Sequence, residues 1–425
     1  MKADWTNGIW HFDTAEGIQT GAARVTVCSD WLPLRNFKDV IAADPVAVYG
    51  DALPLIRQSD LNVVNVETTL GTAGKPIPKA GPNFQAEAES VRSLTEAPFH
   101  VACMANNHIM DYGPDSLAST LKALQSAGLK TVGAGMTGTE ASEPLRIEVN
   151  GLQIAIVNCA EGEACRSIDN GPGAYGFDRE TVIPQVRELA QKTDFVLVIF
   201  HGGREYAPLP PEYVVSDLRA VAEAGANAVI AHHPHVPQGI EVHKGVPIAY
   251  SQGNFAFWQE DGRFYTHAGY MVHLDIGRKQ ICKMEITPYM IEPQGLSVMK
   301  GALKEGFLNM LKLVSELLAD PAHVRSAWHA FIDSVGLEGM KRMVLGPTSK
   351  LDAELEVGAA QLQNLFFTPA HRELFIRGLA RVSRGELGDS PDWAKELVRL
   401  WTKALIGDEK ARLTSNRSNA VFLPT

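Results

Sequence analysis

The sequence predicts an α/β fold in which stacked mixed sheets carry helices on their outer faces, followed by a mainly helical C-terminal region. Three observations carry this expectation. Continuous apolar, β-rich runs alternate with helical patterns from residue 24 to about residue 290, as strands buried on both faces require. Two further apolar stretches read as hairpins, so the sheets are mixed rather than purely parallel. After Pro293 strand signals fade and helical periodicity takes over.

The elements follow in order. RVTVCSD (24–30) is a strand that runs into a polar residue. LNVVNVE (61–67), FHVACMANNH (99–108), DFVLVIFHGG (194–203) and NAVIAHH (227–233) repeat that pattern. In GPDSLASTLKALQSAGL (113–129), Leu117, Leu121 and Leu124 share one helical face, with Pro114 near the start and Gly128 just past the end. PPEYVVSDLRAVAEAGA (210–226) reads likewise. LRIEVNGLQIAIVN (145–158) is a hairpin turning at Asn150-Gly151, and a second hairpin runs over 270–289 through GRKQ. Stretches 302–320 and 393–406 are helices. The expected division is an N-terminal extension over 1–23, an α/β domain over 24–293 and a helical region over 294–425. No fixed-period repeat or low-complexity tract interrupts it. The last stretch, SNRSNAVFLPT (415–425), is expected to fray or dock loosely.

Composition narrows the function. A chain of 425 residues, 45% hydrophobic and 21% charged, is an ordinary soluble globular composition with room for a large core. The formal charge of −10 argues against nucleic acid and against an electrostatic grip on anionic membranes. Cysteines 28, 103, 159, 165 and 282 show no CxxC pairing and read as free core thiols of a reducing compartment. The N-terminus has no apolar signal core, and runs such as FVLVIF fall far short of the roughly 20 residues a membrane span needs. A cytoplasmic protein without a membrane span is the expectation.

The chemistry concentrates at the ends of the strands. Asp30, Asn65, Glu67, Asn106, Asn107, His108, Asp111, His201, Glu205, His233 and His235 all fall just where predicted strands finish. In open α/β sheets, ligands bind outside the carboxyl ends of strands. Carboxylate, carboxamide and imidazole donors suit one or two divalent ions, Mn, Fe or Zn, and without a cysteine among them a structural zinc site is not expected. The stretch AHHPHVPQG (231–239) sets three of the 13 histidines within four positions, and Pro234 helps fix its turn. His11, His100, His243, His267, His273, His323, His329 and His371 read instead as structural histidines.

The stretches NVET (65–68), ANNHIMDYG (105–113), GLKTVGAG (128–135), HGGREY (201–206), AHHPHVPQGIE (231–241) and YSQGNFAF (250–257) together resemble the CapA family of poly-γ-glutamate capsule synthesis. That family shares the calcineurin-like metallophosphoesterase fold, so the resemblance implies a metallophosphoesterase-like α/β/β/α sandwich. It also implies metal binding by Asp30, Glu67, Asn107, His201, His233 and His235, with Glu67 at the bridging position. Ser29 replaces the usual glycine before the aspartate, and Leu32 stands where the superfamily at large has a histidine, so one metal would lose a ligand.

From these parts, His108 and Glu205 are the candidate proton carriers, with Asp111 orienting His108. Arg35 and Arg204 are placed to grip a carboxylate or phosphate. Tyr206 could wall the cleft, while His232, Asn65, Asn106 and Asn254 would support the donors. The function expected is a metal-dependent enzyme acting on a peptide-like or polyglutamate-like substrate. The rivals are a phosphoesterase acting on a phosphorylated small substrate, a metal-dependent peptide epimerase, and a non-catalytic capsule-synthesis scaffold. The C-terminal helices could cap the cleft, recruit a partner or form a homo-oligomer.

Overall fold

The computed structural model describes residues 1–13, 22–162 and 165–415. Strands that are apolar on both faces must be covered from two sides, and the chain meets this by stacking two sheets. In the ten-stranded sheet, Ala23–Leu32 is flanked on one side by Leu61–Val66, Val101–Cys103 and Lys130–Val132, all parallel. On its other side lies the antiparallel hairpin Ala268–Gly277 and Gln280–Glu292. In the six-stranded sheet, Leu152–Ala160, Phe195–His201, Ala228–His232 and Val246–Ala249 run parallel, with antiparallel edges Leu145–Val149 and Ile240–His243. Val25, Val27 and Val63 of one sheet and Ile154, Ile156 and Val198 of the other belong to one continuous buried core.

Helices cover the outer faces. Gly113–Ser126 buries Leu117 and Leu124 in a cluster with Val64 and Ala102, and Glu212–Glu223 buries Val214, Leu218 and Val221 against the second sheet. The Asn150-Gly151 turn has φ 49° and 78°, the left-handed pair a type I′ hairpin requires. All five cysteines are buried. The chain passes from sheet to sheet at residues 250–253: Val246–Ala249 lies in the second sheet, and Asn254–Phe257 pairs with Ala23–Leu32 in the first.

The first sheet takes in residues on both sides of 24–293. Lys2–Asp4 and Ile9–His11 extend its edge through Gln280–Glu292, and Gly295–Val298 pairs back on that same strand. The helical region comprises Gly301–Leu317, Pro321–Lys350 with a break at Gly336, Leu355–Phe367, Pro369–Arg384, Asp392–Lys403 and Ile406–Thr414. The continuous helix expected over 393–406 is interrupted after Lys403. There Ala404 accepts from the Phe264 amide, Ile406 donates to Gly262, and Leu405 bridges to Arg263. A tertiary backbone pairing thus wins over helical periodicity. Trp401 stacks on Tyr265 at 3.9 Å and donates its indole N–H to Pro237 O, which locks these helices to the sheets. Among the described residues no helix is long and apolar enough to cross a membrane. The tail expected to fray lies, past Ser415, outside the described residues.

Candidate metal centre

Register brings the strand ends level. Asp30 pairs with Asn65 and Asn65 with Cys103 in one sheet, while Ala160 pairs with His201 and His201 with His232 in the other. Because the parallel strands of both sheets finish on the same side, their terminal residues meet. Asn65 donates to Asp30 Oδ1 at 2.8 Å and lies 3.3 Å from His201 Nδ1, so one carboxamide ties the two sheets together. His201 Nε2 sits 2.9 Å from Asn107 Oδ1, 3.2 Å from His233 Nδ1 and 3.4 Å from Glu67 Oε1. His235 lies 3.8 Å from Asp30 and 3.9 Å from Glu67, and its Nδ1 is held at 2.8 Å by Asn254 Oδ1.

Four triplets present donor atoms within 4.8 Å of one another: Asp30, His201 and His232; Glu67, His201 and His233; Glu205, His233 and His235; and Asp30, Glu67 and His235. The chemistry of this set fits a cation. Asp30 Oδ2, both carboxylate oxygens of Glu67 and His232 Nδ1 are buried without a hydrogen-bond partner. Buried carboxylates left so are costly, and a divalent ion is the partner that N/O donors of this kind would satisfy. Leu32 is buried with Phe84 and Phe257 in a small apolar cluster and offers the site no donor. His232, read from sequence as a supporting residue, instead offers its free nitrogen beside Asp30 and His201, while Gln252 holds its Nε2 at 2.9 Å.

The backbone is strained where the donors turn. His233 and His235 have φ of 99° and 57°, and Tyr206 and Arg35 have φ of 64° and 54°. Such conformations cost of order 1–3 kcal/mol each in L-residues and persist only when the surroundings impose them. Here Tyr206 N donates to Pro234 O at 2.8 Å and Gly202 N to His232 O at 3.1 Å, stitching the 201–206 and 232–235 loops together.

Electrostatics sort the groups. Burial first, then the charge of Glu67, pushes the Asp30 carboxyl up to about 7, and burial raises Glu67 as well. Burial and neighbouring imidazoles hold His201 and His233 well below the ordinary histidine range, so both are neutral and their lone pairs available. His235 is raised, because Glu67 and Asp30 outweigh its burial. Burial would lift Glu205, but the positive charges of His235 and Arg204 overcome it and bring the carboxyl down to about 2. Glu205 is thus a carboxylate, suited to act as a ligand or base rather than an acid.

A pH dependence follows for metal-free protein. Asp30 loses its proton near 3.8 when unfolded and near 7 when folded, so between these values the unfolded chain binds fewer protons. Its contribution to stability is therefore expected to fall as pH rises from about 4 to about 7, while metal affinity rises over the same range. Denaturant midpoints of chelator-treated wild type and Asp30→Asn at several pH values check the sign. A gap that widens in favour of wild type as pH rises would contradict it.

Around the donors, His108 Nδ1 lies 2.6 Å from Asp111 Oδ2, and the His108 amide donates to Asn106 Oδ1. Asn106 in turn donates to Asn65 Oδ1 and Val66 O. Lys79 belongs to this group although sequence reasoning gives it no role. It is buried, with Nζ 2.6 Å from both Asp111 Oδ1 and the Asn107 carbonyl. Phe84 lies against His108 with ring centroids 4.3 Å apart, and Phe257 against His235 at 5.0 Å. Arg35 rests over both phenylalanine rings, 5.7 and 5.8 Å from their centroids, and donates to Trp258 O. Tyr206 lies 6.2 Å from His235 and carries Arg263 on its face at 4.4 Å. Arg204 packs over Phe331 of the Pro321–Lys350 helix, and Ala207 sits in that helix's core cluster. His371, read from sequence as structural, comes from the Pro369–Arg384 helix and acts electrostatically on both Arg204 and Glu205.

Two facing mixed sheets, outer helices and N/O donors gathered at the strand ends define a two-sheet α/β sandwich with a candidate metal centre. The profile of the family described as bacterial capsule synthesis protein PGA_cap matches residues 24–259, and the chain belongs to that family. It is 34% identical over 273 residues to the PGA biosynthesis protein CapA of Bacillus subtilis (strain 168), covering 62% of this chain and 70% of that one. It is 30% identical over 260 residues to the capsule biosynthesis protein CapA of Bacillus anthracis, covering 59% of this chain and 63% of that one. A solved structure, the 5'-nucleotidase precursor from Thermus thermophilus, aligns at a TM-score of 0.39 and 13% identity over 68% of this chain and 57% of its own.

Proposed function

We propose that this chain is a metal-dependent enzyme of capsule polymer synthesis, acting on a peptide or poly-γ-glutamate-type substrate at the strand ends. The observation that supports this most is the convergence of Asp30, Glu67, His201, His233 and His235, with Asp30 Oδ2 and both Glu67 oxygens buried and without a hydrogen-bond partner among the described residues. The relatives named for PGA and capsule biosynthesis supply the substrate class.

Asp30, Glu67, Asn107, His201, His233 and His235 would hold one or two divalent ions, Mn, Fe or Zn, with His232 and Glu205 as further donors. An ion held there supplies Lewis acidity toward a carbonyl or phosphoryl oxygen. The chain's own residues do the rest. The Asp111 carboxylate fixes the His108 proton on Nδ1, and burial and the Lys79 charge keep that imidazole neutral. Nε2 is then the atom that takes a proton from substrate or water. Arg35 at the rim suits a substrate bearing carboxylates, because its guanidinium is presented on two aromatic faces that adjoin the site histidines. The apolar corner of Leu32, Phe84 and Phe257 limits water on that side.

The test is incubation of manganese-loaded protein with γ-linked glutamate oligomers, followed by mass spectrometry. A change in oligomer length, abolished in His233→Ala, is the expected outcome. Unchanged oligomers that take up deuterium from heavy water would replace this reading with epimerisation. Turnover of an aryl phosphate alone would replace it with phosphoester hydrolysis. No reaction with any of the three, in protein that melts alike with and without metal, would leave a scaffold.

A further inference from the structure

We propose that Glu161 is a positioning residue of the metal centre, clamping the Gly202–Tyr206 loop that links His201 to Glu205. The consequence for metal binding rests on the reading above; the clamp itself rests on geometry alone.

Glu161 follows the Leu152–Ala160 strand, beside the end of Phe195–His201. Its amide donates to His201 O at 2.8 Å, so it is fixed to the ligand's own backbone. Its side chain turns back across the loop. Oε2 accepts from the Gly203 amide at 2.7 Å, and Oε1 accepts from the Tyr213 hydroxyl on the Glu212–Glu223 helix. Both glycines of the HGG sequence answer to this arrangement. A Cβ at Gly202 would stand 2.6 Å from Glu161 Cβ, and Gly203 has φ 102°, which L side chains rarely adopt. The loop therefore runs hard against Glu161 and is held there by a hydrogen bond to its backbone.

What the clamp holds is the short path between two donors. His201 begins the loop, Glu205 and Tyr206 end it, and the backbone bonds Gly202–His232 and Tyr206–Pro234 tie it to the loop that carries His233 and His235. Glu161 does not belong to any of the donor triplets, so its effect on a bound ion passes through the backbone. Groups that orient metal ligands typically change affinity by about 10–100-fold when removed.

The experiment compares wild type, Glu161→Ala and Glu161→Gln by manganese(II) titration and by hydrogen exchange over residues 201–209. Glu161→Ala leaves the Gly203 amide without its acceptor. It is expected to weaken manganese affinity about tenfold and to speed exchange over the loop. Glu161→Gln keeps an oxygen for Gly203 and is expected to restore both readouts to within about threefold of wild type. A general loss of stability would not be rescued in this way. The proposal is overturned if Glu161→Ala leaves loop exchange at the wild-type rate, or if Glu161→Gln is as impaired as the alanine variant. Should Glu161→Ala not fold, Glu161→Gln with and without Tyr213→Phe carries the exchange test, and no further quickening on loss of the hydroxyl would overturn the clamp. Wild type that binds no manganese at all would sink the metal reading, and unchanged loop exchange would sink the clamp, so the two failures are distinguishable.

Discussion

Chelation is expected to lower the melting temperature of the wild-type protein, and Glu67→Gln to abolish that response. Both oxygens of Glu67 are buried with no hydrogen-bond partner, and burial raises its pKa. Near neutral pH the metal-free fold must either hold a buried carboxylate that accepts no hydrogen bond or take up a proton on Glu67 or on His235 beside it, and each is costly. A bound ion removes that cost. An ion at a thousandfold excess over its dissociation constant stabilises the native state by about 4 kcal/mol. Glutamine keeps the volume but removes the charge, so chelator-treated Glu67→Gln should melt at or above chelator-treated wild type. With metal added it should gain little. Calorimetry of both proteins with excess manganese and with excess chelator reads this directly. A wild-type melting point indifferent to chelator, or a Glu67→Gln variant that responds like wild type, would show that these donors do not hold an ion.

That such a site could be read from sequence has a physical reason. A strand buried on both faces has no use for a charged residue, so Asp30, Glu67 and His201 at the ends of apolar runs ask for another explanation. The level register of parallel strands then turns separate stretches into one cluster. Sequence could not see what depends on chain crossing over chain. Lys79 lies in GTAGKPIPKAGP, a segment without periodicity, and becomes meaningful only when its loop delivers the ammonium to Asp111. The break after Lys403 arises because residues 262–264 pair with 404–406. His371 reads as an ordinary helical histidine until the Pro369–Arg384 helix docks beside Arg204 and Glu205. His232 and the strain at His233 and His235 have the same origin, since the conformation of HHPH is set by Gly202, Tyr206 and Gln252 from elsewhere in the chain.

Lys79 supports the second large effect. Its side chain is 2% exposed and that of Asp111 is 0% exposed, and the pair is 2.6 Å apart. Breaking such a pair from one side leaves the other charge buried and unmatched, at a cost of about 3–5 kcal/mol. Lys79→Met is therefore expected to destabilise the protein by about that amount. Asp111 would keep its bonds to His108 Nδ1 and the Phe84 amide, but as a carboxylate facing methionine it would draw a proton onto the imidazole. Lys79 at present helps hold the His108 pKa down, so its loss should raise that pKa and shift the acid limb of any activity profile to higher pH. Lys79→Met/Asp111→Asn removes both charges and should recover part of the stability lost in Lys79→Met, because no bare charge remains. Denaturant unfolding of the two single variants and the double variant closes the cycle. Additive losses would mean that the ammonium and the carboxylate do not hold each other, and that His108 is positioned by Asp111 alone.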